Sequence, residues 1–254
     1  MTIKQTAFIT GATSGIGQAT ARLFAQNGID VVITGRRQER LDSLKEELSK
    51  KVKVTALNFD VRDRAAVFAA VDSLSEDWKS AINILVNNAG DAHGLASFQD
   101  ADLDDFDAMI DGNVKGLLYV SKAVLPLLLK NGNGHIVNLG SIAGKQVYPK
   151  GNVYNASKFA VDAISQAMRM DLLPEGIKVT EIEPGLVETE FSLVRFNGDQ
   201  QKSDETYAGL EALKAEDIAD AIYYAVSRPE HVQVAEMLVL PKAQASTRDY
   251  KRDN

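Results

Sequence analysis

Cysteine is missing altogether from this chain. That absence excludes disulfide staples, zinc–thiolate centres and a cysteine nucleophile together. Long apolar runs are missing as well: the stretch "AVLPLLL" is interrupted by Pro126 and falls short of the length a bilayer demands. The opening "MTIKQTAFIT" lacks the apolar core of a secretory leader. Surplus positive charge is also lacking, since the formal net charge is −7, which argues against nonspecific affinity for nucleic acid or an anionic membrane. The three histidines, His93, His135 and His231, have no metal-ligand spacing, so no metal is expected, and only His93 sits where it could touch a substrate. These absences leave a soluble, cytoplasmic protein as the expectation.

What is present is an ordinary globular composition, 45% hydrophobic and 25% charged. Short β-branched runs alternate with helical patterns. "TAFIT", "VVITG", "VKVTALNF", "INILVNN", "HIVNLG", "VTEIEP" and "EMLVL" read as strands, and segments such as "IGQATARLFAQNG" between them read as helices, that one closing on Gly28. Repeated strand–helix–strand units predict an α/β fold: a doubly wound, Rossmann-type, seven-stranded parallel sheet with helices on both faces. No linker, repeat or low-complexity block interrupts the pattern, so residues 1–254 are expected to form one domain. Within it, residues 186–214 are expected to act as a substrate lid, and 244–254 to be a polar tail or an arm docked on another subunit.

Directly after the first strand, "TGATSGIG" opens a helix. Gly11 allows a sharp turn, while Gly15 and Gly17 permit close backbone approach and tight helix–sheet packing. The helix start offers unpaired N–H groups and partial positive charge, suited to a pyrophosphate. At the end of the second strand, where an NAD-binding domain places an acid for the ribose hydroxyl, the chain has Arg36 and Arg37. Two guanidinium groups suit a 2′-phosphate and point to NADP. Asp60, after the third strand, is read either as a helix cap or as an acceptor for the adenine amino group.

Ser141 leaves the fifth strand at its carboxyl end, the edge where open parallel sheets bind ligands. Farther on comes "YNASK", with Tyr154 and Lys158 one helical turn apart on one face. Most such pairs are a packed phenol beside a solvated ammonium. Asn113, inside the preceding long helix, carries an amide that burial would make costly without partners.

Together these pieces resemble the short-chain dehydrogenase/reductase family over essentially the whole chain. The glycine loop, "NNAG", Asn113, Ser141, "YNASK" and Pro184–Gly185 fall in that family's order. The resemblance implies that Tyr154 is the general acid/base, Ser141 bonds the substrate carbonyl, Lys158 holds the nicotinamide ribose and lowers the phenol's pKa, and Asn113 positions a relaying water. Around the cofactor it implies Thr13, Ser14 and Ile16 of the first loop and Val61 beside Asp60. It adds Asn87, Ala89 and Gly90 of "NNAG", then Pro184, Gly185, Val187 and Thr189 after the sixth strand. It further implies a homodimer or homotetramer through the long helices that carry Asn113 and Tyr154. One departure is Gly140, where many members have a second serine.

Within the family, "TGRRQERL", "IEPGLVETEFS" and "VRFNGD" resemble the NADP-dependent serine and 3-hydroxy acid dehydrogenase branch. That branch oxidises the 3-hydroxyl of L-serine, L-allo-threonine or 3-hydroxy acids and reduces malonic semialdehyde. A carboxylate substrate suits Arg195 as a charge-assisted clamp, with a surface salt bridge as its alternative. Lys145 and Gln146 are further candidates for the pocket wall. Two other functions stay open: an NADPH-dependent reductase of a bulkier ketone, and a regulator that binds NADP without turnover.

Overall fold

The computed structural model describes residues 4–253. Strands β1 (Thr6–Ile9), β2 (Asp30–Gly35) and β3 (Val54–Asn58) alternate with helices α1 (Gly15–Gln26) and α2 (Gln38–Leu48). Helices α3 (Arg64–Asp72) and α4 (Glu76–Ala81) lead to β4 (Ile84–Asn87). Helix α5 (Leu103–Ile110) passes through a π-helical turn at Asp111–Gly116 into α6 (Leu117–Asn131), then β5 (His135–Leu139). The long α7 (Asn152–Asp171) precedes β6 (Lys178–Pro184). The segment expected to act as a lid then comprises β7 (Val187–Glu188), α8 (Glu190–Arg195), α9 (Gln200–Tyr207) and β8 (Leu213–Lys214). Helix α10 (Ala215–Val226) and β9 (Glu236–Val239) complete the order.

The main sheet has seven strands, all parallel, in the order β3-β2-β1-β4-β5-β6-β9. This is the doubly wound arrangement expected. Its cause is visible in β1, where side chains alternate between faces. Ala7 and Ile9 join a core with Phe24 of α1, Leu41 of α2 and Ile222 of α10, while Phe8 faces the other core with Val67 of α3 and Val124 of α6. A strand buried on both faces needs an apolar residue at nearly every position, as "TAFI" has. The order reverses between β1 and β4, and their carboxyl ends open the crevice that receives a ligand.

The lid and tail are more ordered than their polar sequences suggest. The expected lid segment is bracketed by β7 and β8, which pair in parallel as a separate two-stranded sheet. The tail folds back on its own chain: Gln244 Oε1 accepts from the Leu186 N–H at 2.9 Å, and the Asp253 N–H donates to the Gly209 carbonyl at 2.8 Å. Among the described residues, no helix is long and apolar enough to cross a membrane.

Candidate active site

Along the carboxyl edge of the sheet runs a cleft of ≈ 640 Å³. Gly11, Thr13, Ser14, Gly15 and Ile16 form one wall. Gly11 has φ 65°, and a Cβ there would stand 3.0 Å from Ala89 Cα. Gly17 does not line the cleft; a Cβ there would meet the Gly11 carbonyl oxygen at 2.5 Å, so its bareness seats α1 on the loop. Ser14 immediately precedes α1, and its side chain accepts from none of the helix's N–H groups, which leaves those first N–H groups for an anion.

Ala89 and Gly90 line the cleft, but Asn87 corrects the reading of "NNAG". Its amide is buried, donating to Ser121 Oγ and to Asn138 Oδ1, both at 2.9 Å. Alternation along the strand end turns the next residue the other way. Asn88 lines the cleft and ties the glycine loop down by donating to the Thr10 carbonyl at 2.9 Å.

Both arginines reach this cleft. Arg37 donates to Thr13 Oγ1 at 3.1 Å, to Ser14 Oγ at 2.7 Å and to Glu190 Oε2 at 2.8 Å. Arg40 grips the other oxygen of Glu190 at 2.7 Å. Arg36 is more exposed, 3.8 Å from Asp60. Asp60 is held by Arg62 at 2.7 Å and does not cap a helix; Asp63 caps α3, accepting from the Ala66 N–H at 3.0 Å. The Arg62 and Arg36 cations hold the Asp60 carboxyl below its usual range despite partial burial, which pushes the other way. Val61, Pro184, Gly185, Val187 and Thr189 line the cleft as well. A bare glycine floor, an uncapped helix start and neighbouring guanidinium groups fit a dinucleotide that carries a phosphate on its ribose.

The chemically loaded groups converge beyond Gly90. Ser141 opens a tight turn, its Oγ accepting from the Ala143 N–H at 3.1 Å, and it lines the cleft with Tyr154 and Lys158. Tyr154 lies edge-on to Phe191, ring centroids 5.6 Å apart. The Lys158 ammonium donates to the Leu139 carbonyl at 2.8 Å and stands 6.0 Å from the Tyr154 ring centroid. Burial pulls Lys158 down to about 8, opposed by Glu181 and Asp91.

The phenol differs from expectation. Burial first, then the neighbouring Tyr148, pushes Tyr154 above its ordinary value of 10, and Ser141 and Arg195 offset this only in part. Asn113 stands just outside the cleft wall in the π-helical turn, its amide donating to the Asp91 carbonyl at 2.8 Å and to Ser157 Oγ at 3.0 Å. Its side-chain carbonyl accepts from the Asp91 N–H at 2.9 Å, so the buried amide is satisfied.

Arg195 ends α8 inside the cleft, its guanidinium carbon 5.3 Å from the Tyr154 ring centroid and 5.5 Å from that of Tyr148. It donates to the Gly94 carbonyl at 3.2 Å and to the Tyr148 hydroxyl. It is not a surface salt bridge. Two other readings fail. Gln146 does not line the cleft; its side-chain oxygen accepts from the Thr247 N–H at 3.3 Å and so holds the tail. Lys145 turns away, pairing with Asp162, Glu183 and Glu236 at 3.0, 3.1 and 3.0 Å. His93 lies 3.2 Å from Asp91. His135 is buried against Thr180, and burial pulls it down to about 3, keeping it neutral.

Sequence reasoning missed Arg40, Glu190, Asn88, Tyr148 and the tail residues Thr247 and Tyr250, which also line or brace the cleft. Arg40 had a signal, lying about one turn beyond Arg36 and Arg37. The tail had none, because no periodicity marks it.

Fold and site together define the class of dinucleotide-binding α/β enzymes. The family is narrower: a profile described as short chain dehydrogenase matches residues 5–199, and the chain belongs to that family. It is 49% identical to sulfoacetaldehyde reductase 2 of Chromohalobacter salexigens, over 93% of this chain and 94% of that one. It is 46% identical to the NADP-dependent 3-hydroxy acid dehydrogenase YdfG of Salmonella typhi, over 93% of this chain and 95% of that one. Among solved structures, the closed form of a serine dehydrogenase complexed with NADP⁺ superposes with TM-score 0.91 at 43% identity, covering 98% of this chain and 100% of that one.

Proposed function

We propose that the protein is an NADP-dependent oxidoreductase that interconverts a small hydroxy acid and its carbonyl form, with an anionic head beside the reacting carbon. The observation that carries the substrate class is Arg195, a guanidinium inside the cleft next to Tyr154. The similar proteins support it, since those named above act on a hydroxy acid, on serine or on a sulfonated aldehyde. All three chemistries place an anion one or two carbons from the carbonyl or hydroxyl.

When bound, the nicotinamide supplies hydride for carbonyl reduction and accepts it in alcohol oxidation. Tyr154, held protonated by burial, donates its proton to the carbonyl oxygen during reduction and takes it back during oxidation. Ser141 bonds the same oxygen and steadies its developing charge. Lys158, charged at neutral pH, has N–H groups beyond the one given to Leu139 and would hold the nicotinamide ribose. Asn113 fixes the strand-end loop beside Lys158 through Asp91, both of its amide N–H groups already being given to the Asp91 carbonyl and Ser157. Arg36, Arg37 and Arg40 would take the 2′-phosphate, and Arg195 the substrate's anion. Exposed Phe159 on α7 and Leu129 on α6 support a homodimer or homotetramer through those helices.

The test is a spectrophotometric panel with NADPH and NADH against malonic semialdehyde, sulfoacetaldehyde, neutral aldehydes of equal size and bulky ketones, with serine and 3-hydroxypropionate in the reverse direction. Anionic substrates turned over fastest with NADPH support the assignment. A bulky neutral ketone winning by tenfold or more, or tight NADPH binding with no turnover of any carbonyl, would overturn it.

A further inference from the structure

One carboxylate in the cleft has no part in the proposed chemistry. Glu190, the first residue of α8, lines the cleft together with Arg36 and Arg37. Its two oxygens go to two different guanidinium groups: Oε2 accepts from Arg37 Nη1 at 2.8 Å, and Oε1 accepts from Arg40 Nη1 at 2.7 Å. Arg37 follows β2 and Glu190 follows β6, and the three strands β1, β4 and β5 stand between those two in the sheet. The bridge therefore crosses the crevice, and it does so at the glycine loop. Arg37 Nη2 also donates to Ser14 Oγ at 2.7 Å, Arg40 Nη1 donates to the Thr13 carbonyl at 3.4 Å, and a Cβ on Gly15 would stand 3.4 Å from Thr189 Cβ.

Charge and exposure decide what such a bridge can do. Burial pushes the Glu190 carboxyl up, but Arg37 and Arg40 outweigh it and hold the group below the ordinary carboxylate range, so it is an anion at neutral pH. The Arg37, Arg40 and Glu190 side chains are 43%, 44% and 39% exposed, which leaves all three open to exchange with a ligand. A phosphate monoester offers more negative charge and more acceptor oxygens than a carboxylate, so it is the better partner for the same guanidinium pair. A nucleotide without that phosphate has nothing to put in the carboxylate's place.

We infer that Glu190 is an internal competitor for the 2′-phosphate: it holds the guanidinium groups of Arg37 and Arg40, and a phosphate on the ribose must take them from it. Glu190 thus lowers the affinity for the phosphorylated nucleotide and leaves that for the unphosphorylated one unchanged. The helix does not depend on the bridge, because Thr189 caps α8 by accepting from the Phe191 N–H at 3.2 Å.

The inference rests on the proposed reading that these arginines take the 2′-phosphate, and its test separates the two. Calorimetric titration of the full chain at fixed ionic strength gives the Kd of 2′,5′-ADP, which carries the phosphate, and of 5′-AMP, which lacks it. The proteins compared are the wild type, Glu190→Gln and Glu190→Ala, with 5′-AMP binding as the check that each variant is folded. Both variants are expected to bind 2′,5′-ADP about fivefold more tightly than the wild type, the scale of two half-exposed ion pairs that no longer have to be broken. Their 5′-AMP affinity is expected to change by less than about twofold. Unchanged or weaker binding of 2′,5′-ADP, or equal tightening of both ligands, would overturn the inference and leave the reading of the arginines standing. A wild type that binds the two ligands equally would overturn that reading and the inference with it.

Discussion

The two halves of the cleft are built differently. The half proposed for the cofactor is made, apart from its arginines, largely of main chain and small residues: Gly11, Gly15, Ala89, Gly90 and the start of α1. The half proposed for the substrate is made of side chains from separate segments: Tyr148 after β5, Phe191 and Arg195 of α8, Thr247 and Tyr250 of the tail. A surface built from backbone recognises what every member of a class shares, here a dinucleotide. A surface built from side chains can be exchanged residue by residue, and it is where one substrate is told from another. Tyr154 sits at the boundary, within reach of both.

That division can be tested by removing its parts, the largest effect first. Tyr154→Phe deletes the proton donor and leaves the ring in its place against Phe191. Steady-state reduction should fall about 10³-fold, while NADPH binding followed by fluorescence stays within about twofold. Retained turnover would mean that the proton comes from another group. Next come the arginines proposed to select NADPH. Arg36→Ala with Arg37→Ala should cut the NADPH-over-NADH ratio of kcat/KM by roughly 100-fold, leaving the ranking of substrates unchanged. An unchanged ratio would place the 2′-phosphate elsewhere; a changed ranking would join the halves that the structure separates.

The same contrast explains what was legible in the sequence. The glycine loop, the arginines at the end of β2 and the Tyr154–Lys158 pair were readable because local backbone geometry dictates residue type at fixed spacing. Strands were readable from apolar runs, since burial on both faces of β1 favours apolar residues at nearly every position. Asn87 and Asn88 could not be told apart, because a one-residue change at a strand end reverses the side chain's direction. Gln146 and Lys145 misled because a short polar turn carries no signal of orientation. The Lys158 ammonium was placed on the correct helical face, but its hydrogen bond to Leu139 is a long-range contact that spacing does not reveal. Nor does sequence show that burial raises the Tyr154 phenol.

The central claim is that charge in the substrate half, supplied by Arg195, selects an anionic substrate independently of the cofactor half. The most direct measurement compares kcat/KM of the wild type and Arg195→Ala, with NADPH, for an anionic aldehyde and a neutral aldehyde of equal length. The account predicts a loss of about 20-fold for the anionic aldehyde, less than about twofold for the neutral one, and an unchanged Kd for NADPH. Equal losses on both aldehydes, or no loss on either, would contradict it.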